Sequence, residues 1–277
     1  MNRIVLKRDL AASTRLMEVE NPVLASKVKP GQFMIVMADE TGERVPMTAA
    51  DWDASRGTVT MVFLEVGAST KKLGLLAEGE ELYHMVGPLG NSTEVENFGN
   101  VVIVGGGVGI ATAYPVARAM KEAGNHVASV IGARSSDKLI FREEVRSVSD
   151  DFRIATDDGS EGSKGFVSDV LREMLQSGTK VDKVFTVGPT VMMKAVADTT
   201  QPFGVKTVAS LNPIMLCGMG MCGGCRVRVG GVVRFACVDG PDFDAGQVDF
   251  RELLLRLSQY RAEEARAMQL FQQRMAS

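Results

Sequence analysis

An all-β unit followed by a parallel α/β unit, with a small cysteine-bearing appendage, is the architecture this sequence predicts. Three features carry it. Short runs rich in Val, Ile, Phe and Met, separated by Gly, Asp and Ser turns, fill residues 1–97. From Val101 a strand, a glycine turn, a helix and a second strand follow in order. Four cysteines then crowd into the window Cys217 to Cys237.

In the first segment the runs Gln32 to Met37 and Gly57 to Leu64 have the length and β-forming composition of strands, which predicts an N-terminal antiparallel β-barrel over 1–97. In the second, Val101-Val102-Ile103-Val104 enters the glycine turn Gly105 to Gly109, and a helix over Ile110 to Ala123 and a strand over Val127 to Ile131 follow. The rhythm continues through a helix at Phe166 to Leu175, a strand at Lys183 to Val187 and a helix at Thr190 to Val196, closing near Val208. Strand and helix in alternation predict a parallel α/β domain over 98–208. Residues 209–248 hold too little apolar mass for a free-standing core and should lean on a neighbour or a metal. Phe250, Leu253, Leu254, Leu257, Met268, Phe271 and Met275 fall near helical spacing, so 249–277 reads as a single amphipathic helix.

Composition narrows the function classes. The 277 residues are 45% hydrophobic, enough for two cores, and their net charge of −3 offers no basic footprint for a nucleic acid. Charges at Arg3, Lys7 and Arg8 sit where a secretory leader needs an apolar core, and no run of 18 apolar residues occurs. No membrane span is expected, and the chain reads as cytoplasmic. Clustered cysteines without a leader argue for a metal site over disulfides.

Cys217, Cys222, Cys225 and Cys237 have the spacing C-x4-C-x2-C-x11-C, and plant-type [2Fe–2S] proteins begin with C-x4-C-x2-C. Gly218, Gly220, Gly223 and Gly224 suit a loop that turns sharply and aims backbone N–H groups inward. Gly230-Gly231 marks a two-residue hairpin turn that folds Cys225 opposite Ala236, beside Cys237. A structural zinc site also takes four thiolates and remains the alternative, although only Cys222 and Cys225 form a zinc-like knuckle.

The turn Gly105-Gly106-Gly107-Val108-Gly109, after a buried strand and before a helix, is where a pyrophosphate meets N–H donors and a helix dipole. It departs from G-x-G-x-x-G at Ile110, and a merely structural tight turn is the alternative. Beyond the next strand, Arg134 and Lys138 suit a 2′-phosphate or are solvated surface charges. In the barrel segment, Arg44-Val45-Pro46-Met47-Thr48 ends a stretch of predicted sheet, and Gly67-Ala68-Ser69-Thr70 follows the strand Met61 to Val66. An arginine fork and a helix start with N–H and hydroxyl donors both suit a pyrophosphate, though strand-end residues are the plainer reading.

Taken together, these segments resemble the ferredoxin–NADP reductase superfamily. Within it they resemble the small subunits of sulfide dehydrogenase and NADH-dependent ferredoxin:NADP oxidoreductase, with the electron-transfer subunit of dihydroorotate dehydrogenase a close relative. The resemblance implies that Arg44, Pro46, Met47 and Thr48, with Phe63, Leu64, Glu65, Gly67, Ser69 and Thr70, hold FAD. It implies that Gly105, Gly106, Gly107, Val108 and Gly109, Arg134 and Ser135, Asp157 and Asp158, and Gly188, Pro189 and Met192 bind NAD(P)H. The run Ser210 to Met215 ahead of Cys217 is similar to the sulfide dehydrogenase and ferredoxin:NADP branch, some members of which have aspartate where this chain has Cys217. The implied activity is electron transfer between NAD(P)H, FAD and a [2Fe–2S] cluster. The implied partners are a large flavin and [4Fe–4S] subunit related to the glutamate synthase small subunit, and ferredoxin or polysulfide. Such chemistry needs no catalytic acid or base, and His84 and His126 read as ordinary surface or packed residues. Met219 and Met221 read as an apolar cover over the cluster. A zinc-stabilised nucleotide-binding module without redox activity is the reading from another class.

Overall fold

The computed structural model describes residues 2–276. Six strands, β1 (Ile4–Ala11), β2 (Thr14–Glu20), β3 (Phe33–Met37), β4 (Val45–Asp53), β5 (Thr58–Leu64) and β6 (His84–Leu89), form an antiparallel sheet in the order β1-β2-β5-β4-β3-β6. Alternate residues Met17, Val19, Met34, Val36, Val59, Met61 and Phe63 point into one core, the period of two that a half-buried strand requires. Ahead of β6 the chain returns to β1, where the Ile4 N–H donates to the Glu80 carbonyl at 2.8 Å and Arg3 pairs with Glu81, curling the sheet into a barrel. Two short helices, α1 (Pro22–Ala25) and α2 (Ala68–Leu75), sit in its connections.

After Leu89 the chain crosses to β7 (Asn100–Gly106), α3 (Gly109–Glu122), β8 (His126–Ala133), α4 (Arg142–Ser147), β9 (Asp151–Thr156), β10 (Ser163–Lys164), α5 (Val167–Gln176), β11 (Lys183–Val187), α6 (Thr190–Thr200) and β12 (Lys206–Ser210). The strands are parallel in the order β10-β9-β8-β7-β11-β12. Val101 to Val104 are buried throughout, as a strand covered on both faces must be. Strand order reverses between β7 and β11, the place where ligands bind in doubly wound sheets.

The remainder folds as the hairpin β13 (Arg226–Val229) and β14 (Val232–Phe235), then α7 (Ala236–Asp239), β15 (Asp242–Asp244), α8 (Phe250–Leu257) and α9 (Arg261–Ala276). Gly230 and Gly231 have φ of +58° and +77°, the left-handed pair that a two-residue hairpin turn needs. This region shares one core with its neighbours. Phe33 and Ile35 of the barrel and Met193 and Ala197 of α6 pack with Cys225, Cys237, Phe250 and Leu253.

Three expectations are corrected. The C-terminal segment is two helices, broken at Ser258 to Tyr260. From Ser258 to Ala267 no large apolar side chain other than Tyr260 anchors the chain, so only α8, through Phe250 and Leu253, packs on the core, while Leu270 and Met275 of α9 are exposed. The cysteine region is also not a separate appendage, because β15 joins the parallel sheet antiparallel to β12, pairing Asp242 with Ser210. Finally, the segment after Arg44 opens a strand where the sequence suggested a strand end, since β4 starts at Val45.

The three parts meet at Asp242. Thr93, in the link from barrel to sheet, donates to its Oδ2 at 2.6 Å, and Oδ1 has no partner and faces the same small cavity as the unpartnered Thr186 Oγ1. Burial pushes the Asp242 carboxyl above the ordinary value of 3.8, against the hydrogen bonds from Thr93 and Ser210 and the charge of Lys183, which pairs with Glu94 at 2.6 Å. A carboxyl raised on folding favours the native state below its unfolded value and loses that contribution as pH climbs through the raised one. Urea denaturation across the pH range should therefore find Asp242→Asn less weakened by alkali than the native protein, with the gap closing near pH 4; parallel curves would contradict the assignment.

Candidate functional site

Four thiols come together as two pairs. Cys225 and Cys237 are free thiols, and the Cys225 S–H donates to the Cys237 sulfur at 3.2 Å; they meet because the hairpin sets Cys225 opposite Ala236, whose N–H donates to the Cys225 carbonyl at 3.1 Å. Cys217 and Cys222 face each other across the glycine loop, where the Cys222 N–H donates to the Cys217 sulfur at 3.4 Å. The Gly220 N–H donates to the Cys237 sulfur at 3.2 Å and the Gly224 N–H to the Cys222 sulfur at 3.4 Å. Among the described residues no three His, Cys, Asp or Glu side chains gather to hold one ion. A tetrahedral zinc asks for four sulfurs around one centre, whereas a two-iron cluster takes its thiolates in pairs. The donor set fits the latter.

Gly218 shows why the loop is glycine-rich. Its φ is +75°, and a Cβ there would stand 2.7 Å from Leu89 Cδ1 and 3.0 Å from Ile35 Cγ1, so the loop lies directly on the barrel wall. Burial raises the Cys217 thiol, but backbone N–H groups of Cys222, Met219 and Met221 outweigh it and draw the thiol down to about 6. Cys237 is pushed up to about 12 by burial and by its bond with Cys225. Met219 and Met221, expected beside the sulfurs as an apolar cover, are 52% and 81% exposed and, with Leu216, Val238 and the exposed Cys222, make an apolar rim.

The rim abuts the segments that sequence singled out in the barrel. The Arg44 Nε donates to the carbonyl of Leu216, the residue before Cys217, at 2.7 Å. Ser69 donates to Glu43, the residue before Arg44, so the start of α2 lies beside it. Strand β4 pairs with β3 through Val45 to Thr48 and with β5 from Ala49 onward, leaving Arg44 to Thr48 splayed from the end of β5. Leu64 and Val66 are exposed at that opening, and Thr70 takes the Gly67 N–H at 3.2 Å. Other residues in the set are differently placed. Met47 and Phe63 are buried in the barrel core. Glu65 is gripped by Arg15 at 3.0 Å, and its N–H donates to the Ser13 carbonyl at 2.8 Å.

The glycine turn lies at the carboxyl edge of the parallel sheet, at the reversal between β7 and β11. It interlocks with the turn after β11: a Cβ on Gly109 would stand 2.7 Å from Gly188 Cα, and one on Gly106 would strike Met192. Pro189 precedes α6 on the same edge. Arg134 and Ser135 end β8 beside Asp157 and Asp158 at the end of β9, where the Asp158 N–H donates to the Arg134 carbonyl at 3.2 Å. Hydrogen bonds from Ser160 hold the Asp158 carboxyl below the ordinary range.

Sequence reasoning missed the Arg44 to Leu216 contact and a second arginine, Arg256, whose Nη2 donates to the Gly224 carbonyl at 3.1 Å. A cation at i+3 from Leu253, on the helix face that carries the apolar residues, is the signal in the sequence that went unread.

The sequence matches the iron–sulfur cluster binding domain of dihydroorotate dehydrogenase B over residues 212–249 and the oxidoreductase NAD-binding domain over residues 103–198. It is 47% identical over 264 residues to the electron transfer subunit homolog of dihydroorotate dehydrogenase B from Thermotoga maritima, covering 95% of this chain and 93% of the relative. Identity to the electron transfer subunit from Shouchella clausii is 32%, over 88% and 96% of the two chains. A chain from the NADH-dependent reduced ferredoxin-NADP oxidoreductase structure, described for flavin-based electron bifurcation, superposes with a TM-score of 0.93 at 46% identity over 98% of each chain. The ferredoxin reductase of carbazole 1,9a-dioxygenase shares the fold at a TM-score of 0.63 and 19% identity, over 73% and 65%.

Substituting Gly109 by Ala should force the two interlocked turns apart. Chemical denaturation should report a loss of about 1–3 kcal/mol, and an unchanged midpoint would refute the close approach.

Proposed function

Because the chain belongs to the family of dihydroorotate dehydrogenase B electron-transfer subunits and their homologues, within the ferredoxin–NADP reductase superfamily, we propose that it moves electrons between NAD(P)H, FAD and a [2Fe–2S] cluster in a ferredoxin:NADP or sulfide dehydrogenase complex. The observation that carries this reading is the Arg44 bond to Leu216, which joins the opening in the barrel to the cysteine loop. FAD accepts a hydride and releases electrons singly, which suits a converter between a nicotinamide and an iron–sulfur cluster.

In this reading the residues position and no residue serves as a catalytic acid or base. The terminal nitrogens of Arg44 and the donors of Ser69 and Thr70 hold the flavin pyrophosphate. Pro46, Met47, Thr48, Phe63, Leu64, Glu65 and Gly67 shape the ring site, Met47 and Phe63 from within the barrel core. Gly105, Gly106, Gly107, Val108 and Gly109, with Gly188, Pro189 and Met192, hold the dinucleotide, and Arg134, Ser135, Asp157 and Asp158 lie toward its adenosine end. Cys217 with Cys222, and Cys225 with Cys237, would hold the two irons of the cluster. The corresponding units are a flavin domain at 1–97, a nucleotide domain at 98–208, a cluster region at 209–248 and the terminal helices at 249–277.

The apolar rim of Leu216, Met219, Met221 and Val238 around Cys222 suits docking by a partner subunit. We assign that role to a large flavin and [4Fe–4S] subunit related to the glutamate synthase small subunit, with ferredoxin or polysulfide as the outer redox partner. No described helix is long and apolar enough to cross a membrane, and we place the complex in the cytoplasm. A dihydroorotate dehydrogenase partnership is the second reading, favoured by the description of the matching cluster domain. The ferredoxin-NADP oxidoreductase chain, at 46% identity over 98% of each chain, supports the first; the Thermotoga maritima homolog of the dihydroorotate subunit is equally near at 47%, and the Shouchella clausii subunit is further off at 32%.

Anaerobic addition of NADH or NADPH to the purified protein should bleach flavin and then cluster absorbance. Cys222→Ala should remove the cluster contribution and leave the flavin reducible. A protein that is colourless, or a variant whose spectrum is unchanged, would overturn the reading. Identifying the co-purifying subunit, and assaying it with dihydroorotate, separates the two partnerships.

A further inference from the structure

Two arginines from opposite sides hold carbonyls of the cysteine loop. Arg44 takes Leu216 from the barrel at 2.7 Å, and Arg256 takes Gly224 from α8 at 3.1 Å. A trans peptide points its C=O and its N–H in opposite directions. The carbonyls of Leu216 and Gly224, held by the two arginines, thus have the N–H groups of Cys217 and Cys225 on the opposite sides of their peptides. The sulfurs receive the N–H groups of Gly220, Cys222 and Gly224.

Arg256 is the more enclosed of the two. Its Nε is buried without a partner in a cleft lined by Ile214, Leu216, Gly224 and Leu253. The acids nearest in sequence are engaged elsewhere: Glu252 pairs with Arg228 at 2.7 Å, and Asp249 caps α8 through the Glu252 N–H at 2.9 Å. Among the described residues neither Arg256 nor Arg44 makes an ion pair.

Resting on the cluster reading above, we infer that Arg256 is a positioning residue and counter-cation that sets the reduction potential of the cluster held by the four cysteines. A cluster with four thiolates is anionic, and it gains a further negative charge on reduction. An unneutralised guanidinium one peptide unit from Cys225, in a site partly shielded from water, therefore favours the reduced state over the oxidised one. Arg44 works in the same sense from the barrel side, but it also faces the flavin site, so Arg256 is the clean probe.

The test is a spectroscopic redox titration of the full chain, with iron and sulfide content measured on each sample. Arg256→Gln should keep its iron and flavin yet lower the cluster midpoint, shifting one-electron exchange with the flavin by about tenfold, equivalent to about 59 mV, while the flavin midpoint stays in place. Arg256→Lys, which keeps the charge, should stay within about threefold of the native equilibrium. Arg251→Gln, which removes an exposed cation of the same helix and leaves the Arg228–Glu252 pair intact, should leave the midpoint unmoved. Full iron with an unchanged midpoint in Arg256→Gln, or an equal shift in Arg251→Gln, would overturn the inference. Should Arg256→Gln lose its cluster, Arg256→Lys decides: a loaded protein near the native potential supports the role, and a displaced midpoint or an empty protein refutes it. Absence of iron from the native protein would instead remove the cluster reading itself.

Discussion

Backbone N–H groups that turn inward around sulfur cannot also donate to the loop's own carbonyls, so a loop of this kind must find partners for its outward carbonyls elsewhere in the molecule. That constraint organises the C-terminal quarter of the chain. Glycine at 218, with a φ of +75°, lets the loop turn against the barrel wall. The Leu216 carbonyl is answered by Arg44 of the barrel and the Gly224 carbonyl by Arg256 of α8. The fourth sulfur is delivered by a hairpin whose Gly230-Gly231 turn fixes Cys237 beside Cys225. A region too small to fold alone thus gains its shape from neighbours on both sides.

The same neighbours make one body of three units. Phe33 and Ile35 of the barrel and Met193 of α6 share a core with Cys225 and Cys237, and β15 extends the parallel sheet. Thr93 reaches Asp242 across the junction at 2.6 Å. Electron transfer between separate carriers gains from fixed spacing, and a shared core with little slack supplies it. The barrel opening beside Arg44, the interlocked turns at Gly109 and Gly188, and the sulfur pairs stand on surfaces whose mutual positions are set by packing.

Much of this was legible in the sequence because the strongest signals are local. The cysteine spacing and the Gly-Gly hairpin fixed the sulfur arrangement within a short stretch, and β11 was read at its observed limits of Lys183 and Val187. The glycine run after β7 likewise announced the edge where the two turns meet. What escaped was non-local. Arg44 and Leu216 are 172 residues apart, and nothing in either segment names the other. The pairing of Asp242 with Ser210 escaped for the same reason. The helix break at Ser258 was hidden because Leu257 and Met268 keep near-helical spacing across a stretch with no core contact. Met219 and Met221 sit beside the sulfurs with their outer faces in water, as apolar surfaces that meet a partner do.

Two-plus-two arrangement of the sulfurs is the point on which a redox role and a merely structural metal part company. Iron, zinc and acid-labile sulfide analysis of anaerobically purified protein is the most direct measurement. The account predicts about two irons and two sulfides per chain with zinc near zero. One zinc per chain with no sulfide would contradict it and leave a nucleotide-binding fold stapled by a structural ion.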